Sequence, residues 1–397
     1  MSTSLEDRIK ELNQRLSRMK KEQNYFYLKS IDGASGSRVS IDGREMIMFA
    51  SYNYLGLITH PKIKKAAIEA IEKYGTGAAG VRLLAGTTKI HEKLERKIAD
   101  FKGVEDAITY SSGYVTNLAA ITTLCQRGDL VIIDKLDHAS IIDGCFLSGA
   151  THKSFLHNDM QALERILVSA EKNHTNKLIV VDAVYSMDGD VANLPEISRL
   201  AKKYHAKVMV DEAHSIGVLG KTGHGIEEYF NLKDAVDIHM GTLSKTIPSI
   251  GGYLAGDRDL INYLKHNSRP FIFSASLPPV AAATAIACLE VIEDEPERIA
   301  NLQRNITHFR EGLKAMGYDT MFSTTSIVPI LIGEEKETLE LCREVNEKGI
   351  FICPILFPAV PKGTCRLRAH VLATHTPEDI DFTLEVFKKA GKKLGLI

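Results

Sequence analysis

No stretch of this chain approaches the roughly 20 consecutive apolar residues a helix needs to span a bilayer. Residues 1–12 (MSTSLEDRIKEL) hold no apolar signal core, so a secretory address is not expected. The six cysteines (Cys125, Cys145, Cys288, Cys342, Cys353 and Cys365) form no C-x-x-C pair and do not cluster with histidine at zinc spacing. They read as reduced core residues, and no metal site is expected. Internal repeats, low-complexity tracts and long linkers are missing. A surplus of charge is missing too: 49 Lys+Arg stand against 50 Asp+Glu. That balance removes any global argument for a nucleic-acid partner or an anionic membrane. A cytoplasmic protein is expected, with peripheral membrane contact left open.

What is present is ample. At 397 residues the chain is too long for one compact core, so linked domains are the default. Leu5, Ile9, Leu12, Leu16 and Met19 fall at steps of three and four, which predicts one helical face on an otherwise charged segment that packs on the surface or on another subunit. From about residue 100 a unit recurs: a short apolar run, a turn, then a helical pattern. The runs are DAITY ending at Tyr110, LVIID ending at Asp134, KLIVVDAV ending at Val184, AKVMVD ending at Asp211 and VDIHM ending at Met240. Apolar on both faces, they predict buried parallel strands in an open α/β sheet covered on both sides. Ligands of such sheets sit beyond the carboxyl ends of the strands. After Ser276–Pro279 (SLPP) the pattern changes to a long helix, about residues 280–292, and a helix, strand and helix region ending near Leu394. The expected division is an N-terminal helical arm and strand region (1–50), a large domain (51–285) and a smaller C-terminal α+β domain (286–397).

Several residues at or past the strand ends bear chemistry. Lys245, in a segment with four glycines after Met240, is placed to lose its proton through burial, as a Schiff-base lysine must; a solvated loop lysine is the commoner occupant of such a place. Asp211 closes an apolar strand and could pair with a protonated pyridine nitrogen, with His214 three residues on; the pair reads equally as a helix cap and a structural histidine. Ser111–Asn117 (SSGYVTN) follows a strand and opens a helix, where free N–H groups and Gly113 suit a phosphate. His138 could stack on a flat ring or, with Asp137, cap a helix. Arg368 suits a carboxylate, but Arg366 shares its face in a regular strand and spacing does not choose between them. Singly each is ambiguous. Along the chain, near strand ends, the phosphate turn, His138, Asp211 with His214, and Lys245 follow one another, and together they form the constellation of a pyridoxal 5'-phosphate (PLP) site.

The chain resembles the α-oxoamine synthases, PLP enzymes of fold type I. The resemblance runs from about Phe49 to Ile380 and rests on Ser51–Leu57 (SYNYLGL), Gly75–Glu95, Asp137–Ser140 (DHAS), His157–Asp159 (HND), Tyr185–Asp190 (YSMDGD), Val210–Gly225, Gly241–Lys245 (GTLSK), Phe273–Pro279 (FSASLPP) and Arg366–Arg368 (RLR). It implies a large domain with a mostly parallel central sheet and a smaller α+β domain. By position it implies that Gly113 and Tyr114 hold the phosphate turn, aided by Thr242, and that His138 stacks on the pyridine ring. Asp211 would bond the ring nitrogen, His214 the ring oxygen with Ser186 nearby, and Lys245 would hold the cofactor covalently. Ser274 and Ala275 would reach the cofactor phosphate of a second subunit, making a homodimer with shared sites. Arg368 would bind the amino-acid carboxylate, with Tyr52, Asn53 and His138 also at the substrate. Tyr52 and Ala183 depart from residues common in the family, Asn and Gly respectively.

The reaction so implied joins an amino acid to an acyl-CoA, with loss of CO2, to give an aminoketone. Tyr52-Asn53-Tyr54, His157–Met160 and Ser244–Tyr253 resemble serine palmitoyltransferases, which favours serine and a long chain. The alternatives are another member such as 8-amino-7-oxononanoate synthase or 2-amino-3-ketobutyrate CoA ligase, or an aminotransferase on the same fold.

Overall fold

Runs of Val, Ile and Leu that end on aspartate form the middle of the molecule, as side chains apolar on both faces require. The computed structural model describes residues 4–22, 24–171 and 176–397. In chain order its strands are β1 (Arg38–Ile41), β2 (Arg44–Met48), β3 (Asp106–Tyr110), β4 (Leu130–Asp134), β5 (Thr151–Phe155), β6 (Lys177–Asp182), β7 (Lys207–Asp211), β8 (Ile238–Ser244), β9 (Pro248–Gly256), β10 (Ile327–Gly333), β11 (Ile350–Phe351), β12 (Cys353–Ile355) and β13 (Cys365–His370).

One seven-stranded sheet carries the order β3-β9-β8-β7-β6-β4-β5. The strands β8, β7, β6, β4 and β5 run parallel to one another. β9 is antiparallel to both β3 and β8. β4 and β6 are buried at every position, whereas β5, at the sheet edge, exposes four of its five residues. That polar edge strand leaves no apolar run, so pattern reading passes over it. Two expected strand ends shift. The run closing at Val184 leaves the sheet at Asp182, because Val184 bridges instead to Val191 in the turn that follows. The run expected to end at Met240 continues to Ser244 and returns as β9, so the glycine-bearing stretch 241–256 is a hairpin. Its glycines serve close packing: a Cβ on Gly252 would lie 2.3 Å from Thr116 Oγ1.

Two further sheets follow. β1-β2-β11 joins the first 50 residues to residues 350–351. β10-β13-β12 is antiparallel. The helix Pro279–Asp294 passes through residue 285 unbroken and lies against the helices Pro61–Tyr74 and Lys89–Lys102. The largest apolar cluster runs through it, from Phe49 and Leu94 to Ile286, Phe309 and Phe387. At the N-terminus, Ser4 caps the helix Leu5–Lys21 by accepting from the Asp7 N–H at 3.1 Å. Leu5, Ile9 and Leu12 of that helix are 58%, 51% and 54% exposed, so the first part of its apolar face is bare on this chain, while Leu16 and Met19 are half-buried. Among the described residues no helix is long and apolar enough to cross a membrane. The six cysteines are free, with Cys353 half-buried and the rest buried.

Candidate active site

The carboxyl ends of β6, β7 and β8 and the turns that follow β3 and β4 line a cavity of about 250 Å³. Lys245 follows β8 directly, and its Nζ lies 2.9 Å from His214 Nε2. The other ring nitrogen of His214 lies 2.7 Å from the Tyr54 hydroxyl. Burial, then the Lys245 charge, holds the His214 imidazole well below its ordinary pKa, so it is neutral. Two linked arrangements follow. A protonated Lys245 donates to Nε2, and Nδ1–H donates to Tyr54; a neutral Lys245 accepts from Nε2–H while Tyr54 donates to Nδ1. Burial brings Lys245 itself down to about 8, with the Asp211 charge pulling the other way.

Asp211 ends β7 and is 5% exposed. Its Oδ2 accepts from Asn117 Nδ2 at 2.7 Å and its Oδ1 from the Ala213 N–H at 2.9 Å. These donors favour the carboxylate and aim it. Asn117 also donates to Ser140 Oγ at 2.9 Å, and Ser140 Oγ lies 2.7 Å from His138 Nδ1. His138 therefore both caps the helix Ala139–Ser148 and lines the cavity. Its pKa is lowered, mainly by burial, with Asp211 opposing and Lys245 assisting.

At the other end, Ser112 caps the helix Gly113–Leu124 by accepting from the Val115 N–H at 3.2 Å. The N–H groups of Gly113 and Tyr114 precede that bond and open on the cavity as an anion seat. A Cβ on Gly113 would lie 2.9 Å from Thr242 Oγ1, which places Thr242 directly behind this turn. Thr242 is anchored by Ser244 Oγ at 2.8 Å and the Gly251 carbonyl at 3.2 Å. The Tyr114 hydroxyl donates to Asp143 across the cavity's outer wall.

The two arginines separate cleanly. Arg366 is 3% exposed and bound to Asp188 at 2.5 Å. Arg368 donates to the Ser186 carbonyl at 2.9 Å and to the Tyr52 hydroxyl at 3.0 Å. The ring of Tyr52 lies 5.6 Å from Lys245 Nζ, so Arg368 borders the lysine and Arg366 does not. Five expected residues lie outside the cavity lining: Tyr52 and Arg368, which stand beside Lys245, and Asn53, Ser274 and Ala275. Asn53 donates to the Ser35 carbonyl and accepts from the Ile58 N–H, bracing its own turn. Ser274 and Ala275 sit beside the bridge between Ala275 and Val81 and do not face this chain's cavity.

The site fits PLP on its own geometry. Asn117 Oδ1 and Asp182 Oδ1 are buried there without a hydrogen-bond partner among the described residues, the Gly113 turn heads a helix with Thr242 packed too close behind it for a side chain, and an aimed carboxylate and an amine line the same cavity. Sequence reading passed over Asn117, Ser140, Tyr54 and Asp182. Asn117 lies one turn from Gly113 on the same helical face, and Asp182 closes an apolar run just as Asp211 does; both signals were available. A consequence concerns pH. Covalent capture of PLP needs the neutral amine, so uptake by the apoprotein should rise roughly tenfold per unit below about pH 8 and level off above it. Stopped-flow absorbance measures this; a rate still climbing through pH 10 would contradict a lysine poised by burial.

Comparison with known proteins agrees. The model for aminotransferase class I and II matches residues 44–387. The 8-amino-7-oxononanoate synthase of Thermoanaerobacter pseudethanolicus is 47% identical over 386 residues, 97% of this chain and 98% of that one. The serine palmitoyltransferase of Bacteriovorax stolpii is 44% identical over 368 residues, 93% of this chain and 88% of that one. A solved SPT structure holding PLP as an internal aldimine superposes with a TM-score of 0.95 at 34% identity, with both chains covered in full.

Proposed function

We propose that this chain, which belongs to the class I and II aminotransferase family and within it to the PLP-dependent α-oxoamine synthases, joins alanine to a seven-carbon dicarboxylic acyl thioester with loss of CO2. The observation that carries the condensation is the placement of Lys245 and Asp211 in one cavity with Arg368 held beside the lysine by Tyr52 and Ser186.

When bound, PLP supplies an electron-withdrawing ring that stabilises negative charge at the amino acid's α-carbon. The protein does the rest. Arg368, its plane set by Ser186 and Tyr52, grips the substrate carboxylate. Lys245, made a base near neutral pH by burial, takes the α-proton at Nζ. His214 and Tyr54 follow that proton by exchanging donor and acceptor roles. Asp211, steadied by Asn117 and the Ala213 N–H, would set its negative charge against the ring nitrogen. His138, at the end of the cavity nearest Tyr114, is the donor for the thioester oxygen.

The choice of substrate follows from the product's chemistry. An 8-amino-7-oxononanoate skeleton has nine carbons, an amino group one carbon from the end and an acid at the other end. Alanine's α-carbon and methyl supply two carbons, and a seven-carbon diacid supplies the rest. The greater identity to the synthase of that name supports this pair over serine and a long chain, the pair expected from Tyr52-Asn53-Tyr54. Serine with palmitoyl-CoA is the second reading, favoured by the structural likeness to a serine palmitoyltransferase. A terminal carboxylate and a long apolar tail need opposite surroundings. Alanine with pimeloyl-CoA should therefore exceed serine with palmitoyl-CoA in kcat/KM by about 10²-fold or more. The reverse ratio would select the second reading.

A homodimer with shared sites belongs to the same reading. Its support is the position of Ser274 and Ala275 outside their own cavity, with Phe273 73% and Leu84 83% exposed close by. A cytoplasmic setting, where acyl-CoA is at hand, is part of it.

A further inference from the structure

Three buried strands end on aspartate, and the reaction described so far uses one of them. Asp134, at the end of β4, accepts from the Leu136 and Asn158 N–H groups and meets His157, so its oxygens are satisfied. Asp211 is satisfied by Asn117 and Ala213. Asp182, at the end of β6, is different. It is 4% exposed, lines the same cavity, and its Oδ1 is buried with no partner among the described groups. A buried oxygen left so costs free energy unless a ligand completes it. Its backbone is fixed: Asp137 Oδ1 accepts from the Asp182 N–H at 2.9 Å, and Asp137 Oδ2 from the Asp134 N–H at 2.8 Å.

The sheet orients the ring relative to this oxygen. Asp182 and Asp211 are register partners on neighbouring strands, β6 and β7. The phosphate turn lies on the opposite side of β7, where Gly113 abuts Thr242 of β8. In PLP the phosphate arm and the hydroxyl flank the aldehyde carbon, and the nitrogen lies opposite it. With the nitrogen at Asp211 and the phosphate toward β8, the hydroxyl-bearing edge faces β6.

We propose that Asp182 is a further cofactor-contacting residue, a neutral carboxyl group whose Oδ1–H donates a hydrogen bond to the hydroxyl-bearing edge of the PLP ring. The proposal rests on the PLP seat described above. Two carboxyls in register do not both ionise when buried. Asp211 has two N–H donors that favour its charge, whereas Asp182 has the His138 backbone N–H. The groups facing Asp182 are Asp134, Asp137, His138, Tyr185, Asp211 and Lys245, of which Lys245 is the one that brings a full positive charge. Burial, then Asp211, raises Asp182 well above the carboxylate range, with Lys245 opposing.

The test is a pH titration of the visible absorbance of the lysine-bound cofactor in purified holoenzyme, with PLP affinity measured alongside. Asp182→Asn keeps a neutral N–H donor and should titrate within about 0.3 unit of the unsubstituted protein. Asp182→Ala loses the donor; its titration should move up by about one unit, and PLP should bind roughly tenfold more weakly. Asp182→Ser, smaller but still a donor, stands in for either variant that does not fold and should fall between them. A downward shift of a full unit in Asp182→Asn would mean the group is an anion and overturns the proposal. So would an Asp182→Ala protein that matches the unsubstituted one in both readouts. Absence of the absorbance from the unsubstituted protein would instead overturn the seat itself.

Discussion

Lys245→Ala should give a folded protein that still binds PLP, lacks the absorbance of a lysine-bound cofactor and turns over at least about 10³-fold more slowly. Folding survives because the backbone of the β8–β9 hairpin pairs Ser244 with Pro248 and makes no use of the Lys245 side chain. The seat survives because the Gly113 turn, Thr242 and Asp211 are anchored independently of the lysine. What is lost is the amine that takes the α-proton, and no neighbour replaces it. His214 is held neutral by burial, and its Nε2 is directed at the place the amine leaves. Spectra of the reconstituted variant and single-turnover kinetics measure both parts. Activity within tenfold of the unsubstituted protein would remove Lys245 from the chemistry.

For Asp211→Ala the expected loss is on the order of 10² to 10³-fold in kcat/KM, from removing one partner of a buried charge pair. The side chain is 5% exposed and holds two donors, Asn117 Nδ2 and the Ala213 N–H, so truncation also leaves those groups short of an acceptor. Asp211→Asn separates the two causes, since it keeps the shape but not the charge. If the charge on the ring nitrogen matters, the Asn variant should be nearly as slow as Ala while melting closer to the unsubstituted protein. Equal loss of stability in both variants, with activity per folded molecule unchanged, would make Asp211 a packing residue.

The strand ends that carry Asp211 and Asp134 were legible because buried parallel strands are continuous apolar runs, and an aspartate that breaks such a run stands out. The order of strands was not legible, since β4, β6 and β7 are brought together by hydrogen bonds between residues far apart in sequence. Arg366 and Arg368 show the limit well. They share a strand face, and only the fold reveals that one meets Asp188 and the other Tyr52. The Tyr52-Asn53-Tyr54 segment pointed to a serine and long-chain enzyme for a similar reason. Tyr54 is fully buried against His214, Tyr52 orients Arg368, and Asn53 braces its turn. These contacts brace His214, Arg368 and the turn itself, so they carry little information about the acyl donor. The greater identity to an 8-amino-7-oxononanoate synthase weighs against that first choice.

The condensation is tested most directly by measuring free thiol and CO2 together when the holoenzyme meets alanine and pimeloyl-CoA. Joining the two substrates releases one CoA and one CO2 per turnover, and neither appears when the amino acid is left out. Amino-group transfer to a keto acid, with the thioester intact and no CO2 released, would contradict it and make this a transaminase on the same fold.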